Sequence, residues 1–416
     1  MPAAVPEAEG ARESALLRRK WSTLLLLALA ELLAMGPWFS ASAVVPALSV
    51  EWNLGPTLQA WLTMSVQAGF VAGAFGSALL NLADRVPARW LFAGAAATAA
   101  LATALITAPG VGPALALPLR FLTGMALAGV YPVGMKITAT WTRRDRGLGI
   151  GLLVGALTIG KAGPHLLNAL GGGSDWRPVL WLAAGMAVLG GLVAALFVGE
   201  GPYAAAAPRF RWRYAGEVLR DRNLLLANLG YLGHMWELYA MWAWAPLFLL
   251  ASYQIAGVDP VWASVAAFAV IGAGGLGSLL AGVLADQIGR TRVVIASLLV
   301  SGGCALVIGW FYGGNPALVT LLTLLWGFAV VADSAQFSAA VSELCRSEYT
   351  GTALTLQTSL GFLLTLVTIW MVPPLVGLIG WTGAFAALAL GPVCGIWAML
   401  RLRRSPAATR LAGGRG

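Results

Sequence analysis

Apolar runs of about twenty residues or more recur along the whole chain, and a run of that length crosses a bilayer as a helix. We read them as twelve spans at 21–47, 57–81, 89–108, 113–140, 148–171, 178–199, 222–250, 261–283, 292–312, 316–342, 351–377 and 382–402. The third and fourth are separated only by APGVGP at 108–113. Composition agrees: 59% of residues are hydrophobic and 10% charged, where a soluble domain is about a quarter charged. One soluble core could not hide that much apolar surface. Backbone groups in lipid must be paired within the segment, which dictates helices. The expected fold is therefore an all-α membrane protein with twelve transmembrane helices. At the start, Arg18, Arg19 and Lys20 precede LLLLALA and ASA follows at 41–43, as in a signal peptide. The apolar run continues past Glu31 to about residue 47, however, and reads as a retained first helix.

The net charge of +9 is placed by topology rather than by a nucleic-acid partner. With twelve spans and the N-terminus cytoplasmic, the clusters at Arg18–Lys20, Arg85/Arg89, Arg143/Arg144/Arg146, Arg209/Arg211/Arg213, Arg220/Arg222, Arg290/Arg292 and Arg401/Arg403/Arg404 fall on one face. Arg177 lies on the other, and Arg120, Lys136 and Lys161 lie within spans. Shifting the helix count by one would scatter the clusters, so the positive-inside rule places both termini in the cytoplasm. The expected location is the inner (cell) membrane. Cys304, Cys345 and Cys394 lack metal spacing and are expected to be free thiols. The basic, proline-containing stretch 200–221 divides the chain. The expected units are a tail 1–20, a six-helix bundle 21–199, the linker 200–221, a second bundle 222–404 and a tail 405–416.

Two repeats support that division. ELLAMGPW at 31–38 and ELYAMWAW at 237–244 share the frame Glu-Leu-x-Ala-Met-x-x-Trp at an offset of 237 − 31 = 206. LNLADRVPAR at 80–89 matches GVLADQIGRTR at 282–292, with Asp84 and Asp286 at 286 − 84 = 202. Nearly equal offsets point to a duplicated six-helix unit, giving two pseudo-symmetric bundles in parallel orientation. GAGGLG at 272–277 matches G-x-G-x-x-G but lies in an apolar run without a strand or a following acid, so it reads as close helix packing.

At these residues the chain resembles the major facilitator superfamily. Gly282, Leu284, Ala285, Asp286, Gly289, Arg290 and Arg292 are similar to that family's G-x-L-A-D-x-x-G-R-x-R signature. The first copy keeps Asp84, Arg85 and Arg89 but has Leu80 and Pro87 for the glycines. Arg120 and Gly124 resemble the family's fourth-helix R-x-x-x-G, and Gly160, Gly163 and Pro164 its fifth-helix glycine–proline pattern. The resemblance covers roughly residues 20–404. It implies that Asp84, Arg85, Arg89, Gly282, Asp286, Gly289 and Arg290 latch one conformation. Physically, a carboxylate there can cap a helix N-terminus and pair with Arg, and a solvated turn is the plainer reading. GHMWELYAMW and ADSAQFSAAVSEL are similar to carriers grouped near nitrate and cyanate transporters, but the second and eighth spans hold no Arg, where nitrate carriers bind their anion.

Ionisable residues within spans are costly and mark function or pairing. They are Glu31, Arg120, Lys136, Lys161, His165, His234, Glu237 and Asp333. The resemblance implies that spans 1, 4, 7 and 10 line the central cavity with span 5 beside them, and all eight residues fall on these. Glu31 and Glu237 lie about 15–23 Å into their helices, near the midplane. Glu, Met and Trp of each repeat share a helical face, which brings in Trp38 and Trp244. The glutamates read either as proton-coupling or substrate groups, or as structural partners of Arg120 or Lys161. Lys161 and His165 share a face of span 5, and Lys136 is expected to snorkel.

No nucleotide-binding loop, metal cluster or catalytic triad is recognisable, so neither enzyme activity nor a cofactor is expected. The expected function is secondary active transport of a small solute, proton-coupled and by alternating access, with a small organic or inorganic anion favoured. The alternative is proton-antiport efflux of amphipathic or cationic compounds. The expected partners are a small molecule, protons and the lipid bilayer, with no nucleic acid and a monomeric chain.

Overall fold

The computed structural model describes residues 5–143, 145–171, 175–204 and 212–416. Arg144, Arg209 and Arg211 of the basic clusters lie outside them. In chain order the crossings are α1 (Ser14–Trp38), α2 (Pro56–Leu80), α3 (Ala88–Leu105), α4 (Pro113–Trp141), α5 (Arg146–Leu170), α6 (Arg177–Phe197), α7 (Arg222–Ile255), α8 (Pro260–Ile288), α9 (Arg290–Phe311) and α10 (Pro316–Leu344). The stretch Thr350–Arg403 makes two more. Gly380, at φ +69, breaks it into α11 (350–379) and α12 (381–403). Ten segments are long and apolar enough to span by length and hydropathy alone. Dividing the last and adding α7, which carries Asn228, His234 and Glu237, gives the twelve. Lys20 of α1, residues 201–203 and the C-terminal residues meet the same end of the bundle, here the terminal face.

Several helices depart from the plain spans read from sequence. The first was expected as one helix over 21–47. The helix instead runs Val5–Ala34 and breaks into a short turn, Gly36–Trp38, followed by Ser40–Ala43 and Val45–Trp52. Pro37 has no N–H to continue the ladder and disfavours helical Gly36. α4 is interrupted between Pro113–Leu127 and Tyr131–Trp141, and α10 between Pro316–Ala332 and Ser334–Leu344. Residues 130 and 333 of these breaks differ by 203. The Asp286 signature runs from the last turns of α8, through Gly289 at φ +103, into the first turn of α9, which holds Arg290 and Arg292.

The duplication is visible in packing. A Cβ on Gly124 would stand 2.0 Å from Val66 O, and one on Gly327 2.0 Å from Val270 O. The offsets are 327 − 124 = 203 and 270 − 66 = 204. In both halves a glycine lets the second and fourth helices touch backbone to backbone. The halves meet along α5 against α8 and along α2 against α11. On the far face Arg177 pairs with Glu51 (2.7 Å), which also accepts from the Trp176 indole (2.7 Å). The Trp176 bond first and the Arg177 guanidinium second hold the Glu51 carboxyl below its ordinary value.

Candidate functional site

A vestibule of about 320 Å³ lies on the terminal face between α2, α4, α10 and α11, reaching Asp84, Lys136 and Arg146. It shares Tyr131, Ser338 and Thr358 with a smaller chamber of about 60 Å³ deeper in the bundle. Toward the far face, between α1, α5, α7 and α8, lies an outer cavity of about 330 Å³. α5 walks through both inner compartments on one face. Val154, Leu157, Thr158 and Lys161 line the chamber, and His165, Asn168 and Ala169 line the outer cavity. α7 does the same, with Tyr231, His234, Met235, Leu238, Tyr239 and Trp242 in the chamber, a stripe at i, i+3, i+4, i+7, i+8 and i+11. The partition therefore sits at the level of Lys161 and Trp242.

Aromatic rings from both halves fill that partition. Trp38 of α1 lies 5.8 Å from Tyr239 of α7 and 5.6 Å from Phe362 of α11. Phe70 of α2 packs 4.5 Å from Phe362, and Tyr239 5.2 Å from Trp242. The Lys161 Nζ projects into this cluster and donates to Tyr239 Oη at 2.7 Å. It stands 4.0 Å over Trp38, 4.9 Å from the Tyr239 ring and 5.3 Å from the Trp242 ring. Lys161 is the only Lys or Arg lining the chamber among the described residues.

The two repeated glutamates have different surroundings. Glu237 is fully buried and accepts from Trp326 Nε1 (2.6 Å) and Ser301 Oγ (2.9 Å), inside the second half. Trp244, at the end of its frame, donates to Ile369 O (3.0 Å), likewise away from the chamber. Glu31 is equally buried, but neither of its oxygens has a hydrogen-bond partner, and Lys161 acts on it electrostatically. Residue 123, at the same 203 offset from Trp326, is a threonine that donates to Leu119 O. Glu31 therefore has no counterpart of the indole that satisfies Glu237.

In the second half His234 Nδ1 lies 2.8 Å from Asp333 Oδ1, and its Nε2 is 3.0 Å from Ser334 Oγ. Apart from this ion-pair contact, neither Asp333 carboxylate oxygen has a hydrogen-bond partner. Arg120 points into the first half as an anchor. It donates to Leu62 O (3.1 Å), Pro37 O (2.7 Å) and Trp38 O (2.5 Å). The Pro37 break frees carbonyls at the end of α1, and Arg120 satisfies them. The Nε2 of His165 is unpartnered at the wall of the outer cavity.

The terminal face carries the loop residues. The Asp286 carboxylate packs against the start of α5 across the two halves, close enough that a Cβ on Gly147 would meet it at 2.4 Å. Gly282 packs on Gly147, where a Cβ would meet its carbonyl oxygen at 2.6 Å. Arg290 forks onto Glu343 (2.8 and 2.6 Å), reaches Gln336 (2.8 Å) and lies 3.6 Å from Asp286. In the first copy Asp84 pairs instead with Lys136 (2.6 Å), which also binds Ala83 O. Arg85 and Arg89 line a shallow cavity beside that pair, Arg89 over Trp90. Lys136 thus carries its ammonium out to the terminal face and is paired there.

Reading by repeat frame missed Tyr239, Trp242 and Phe362. The i, i+4, i+8 spacings of Tyr231, Met235 and Tyr239 and of His234, Leu238 and Trp242 carried the signal for the first two. No local pattern marks Phe362, which arrives from α11.

No curated protein sequence matches the chain significantly. Solved structures with the same fold include a mutant form of the nucleoside transporter NupG (16% identity, TM-score 0.66, covering 91% of this chain and 99% of that one). The proton:xylose symporter XylE bound to 6-bromo-6-deoxy-D-glucose is similar at 14% identity and TM-score 0.72, with 92% and 96% covered. The human organic anion transporter MFSD10 (TETRAN) is similar at 18% identity and TM-score 0.65, with 91% and 99% covered. The family model for the Major Facilitator Superfamily matches residues 27–368. Twelve crossings in two pseudo-symmetric bundles and this match over most of the chain make it a multi-pass membrane transporter belonging to the Major Facilitator Superfamily.

Proposed function

We propose that the protein is a proton-coupled secondary transporter that moves a small organic or inorganic anion by alternating access. The observation that carries this reading is the pairing of opposite roles around one partition. Lys161 brings its side-chain nitrogen to the chamber, and Glu31 interacts with it electrostatically without a hydrogen bond of its own. A buried carboxylate with two unpaired oxygens is costly. It is relieved by a proton, and a proton arriving there changes the field at Lys161. His234, Asp333 and Ser334 supply further polar contacts on the opposite wall, and His165 marks the outer cavity.

In this reading the units 21–199 and 222–404 rock about the α5–α8 seam, opening the vestibule and the outer cavity in turn. Asp286, positioned by Arg290, holds one of the two states at the terminal face, while Asp84 and Lys136 pair within the first half. That face is cytoplasmic in an inner membrane, by the charge clusters it carries. The protein works as a monomer in the lipid bilayer. The structural neighbours differ in cargo, so the solute class rests on this chain's own residues.

A second reading, proton-antiport export of amphipathic or cationic compounds, draws on the aromatic partition. It requires a cation to sit beside Lys161, against like charge. A thermal-shift screen of purified protein separates the two, using small carboxylates and inorganic anions against lipophilic cations at acidic and neutral pH. Stabilisation by anions, stronger at acidic pH, is expected. Stabilisation by cations alone would overturn the anion reading in favour of export.

A further inference from the structure

A buried ammonium is ordinarily matched by a carboxylate. Lys161 is 2% exposed, and its close contacts are rings and one hydroxyl. Trp38 supplies its face from the first half, and Tyr239 and Trp242 supply theirs from the second. The Tyr239 hydroxyl accepts the one hydrogen bond. Phe70 and Phe362 brace Trp38 at 5.1 and 5.6 Å, and Phe39 meets Trp242 edge-on at 5.9 Å. Aromatic faces converging on one point in a water-poor interior form a site for a small organic cation.

We propose that Lys161 is the resident cation of this cage and that it sets the charge selectivity of the central site. This rests on the reading above that solute reaches the chamber. An organic cation finds the cage filled and meets like charge. An anion approaching from the chamber pairs with the ammonium and draws it off the rings. Because Trp38 and Tyr239/Trp242 belong to opposite halves, emptying the cage removes a contact that ties the halves together at mid-membrane. Solute binding thereby favours the state in which they separate. Arg120 is a positioning residue here, since its bonds to Pro37 O and Trp38 O fix the backbone that carries the Trp38 ring.

The test is calorimetric titration of the full-length purified protein with tetramethylammonium. Wild type is expected to show no binding. Lys161→Ala, which vacates the cage, is expected to bind with a Kd at least about tenfold below the highest concentration at which wild type shows none. Lys161→Met, whose neutral chain still fills the cage, is expected to bind no better than wild type. Adding Trp38→Leu to Lys161→Ala is expected to abolish the gain. Should Lys161→Ala fold poorly, tetramethylammonium in the extraction buffer is expected to restore its yield of monodisperse protein. Neither binding nor rescue in Lys161→Ala would overturn the proposal, as would equal binding by Lys161→Met. The anion reading fails separately, on the anion arm of the wild-type screen.

Discussion

At the residue scale, identical side chains at repeated positions have been given different work. Glu237 is an acceptor for two donors, whereas Glu31 has none. Glu237→Ala leaves the Trp326 indole unpaired in the interior, at about 1–3 kcal/mol, and leaves Ser301 only its 3.5 Å bond to Leu298 O. Arg120→Ala removes three buried bonds, to Leu62 O, Pro37 O and Trp38 O, and costs more even though the Ser40 hydroxyl still donates to Pro37 O. Glu31→Gln removes no hydrogen bond. Melting temperatures in detergent are therefore expected to fall in the order Arg120→Ala lowest, then Glu237→Ala, with Glu31→Gln near wild type. A Glu31→Gln protein melting as low as Glu237→Ala would contradict the assignment. The repeated frame made both glutamates legible in the sequence. Their difference was not, because Ser301 and Trp326 lie 64 and 89 residues from Glu237. Trp244 was misleading for a similar reason: the frame names it, but helical phase turns it toward Ile369 and leaves Trp242 facing the chamber.

At the element scale, the α5–α8 seam depends on glycine. Cβ atoms on Gly155 and Gly275 would each stand 2.8 Å from the other residue's carbonyl oxygen, and one on Gly151 would stand 2.9 Å from Ser278 O. Gly155→Val is expected to lower the melting temperature and to suppress transport, since the helices cannot close without a backbone shift. Gly94→Ala is the control. Nothing lies within 4 Å of its Cβ direction, and alanine there is expected to be neutral or to stabilise α3 by up to about 1 kcal/mol. A well-behaved Gly155→Val with wild-type transport would show that the seam does not need backbone contact. The glycine run at 272–277 was legible as packing, and the structure bears this out. Gly274 and Gly277 meet α10, and Gly275 meets α5. Crossing helices were legible because lipid imposes their length. The breaks in α1, α4 and α10 were not, since apolar runs continue through them. Pro37 and Pro132 were local signals for the first two, while Asp333 sits at a break that no proline marks.

At the scale of the whole molecule, the partition separates two openings of similar size, about 320 Å³ on the terminal face and about 330 Å³ on the far face. Aromatic rings and one ammonium, contributed by both halves, stand between them. The terminal-face contacts are unequal: Asp286 bridges the halves to α5, whereas Asp84 is held within its own half by Lys136. The degraded first signature, with Leu80 and Pro87 in place of glycine, was the legible trace of that inequality. The vestibule opens on the weaker side, between α2 and α11. The most direct measurement is anion uptake into proteoliposomes under an imposed pH gradient, acidic outside, for wild type and Glu31→Gln. The expected result is wild-type accumulation that a protonophore abolishes, with Glu31→Gln unable to use the gradient while remaining folded. Accumulation by wild type that ignores the pH gradient, or gradient-driven uptake by Glu31→Gln at the wild-type rate, would contradict it.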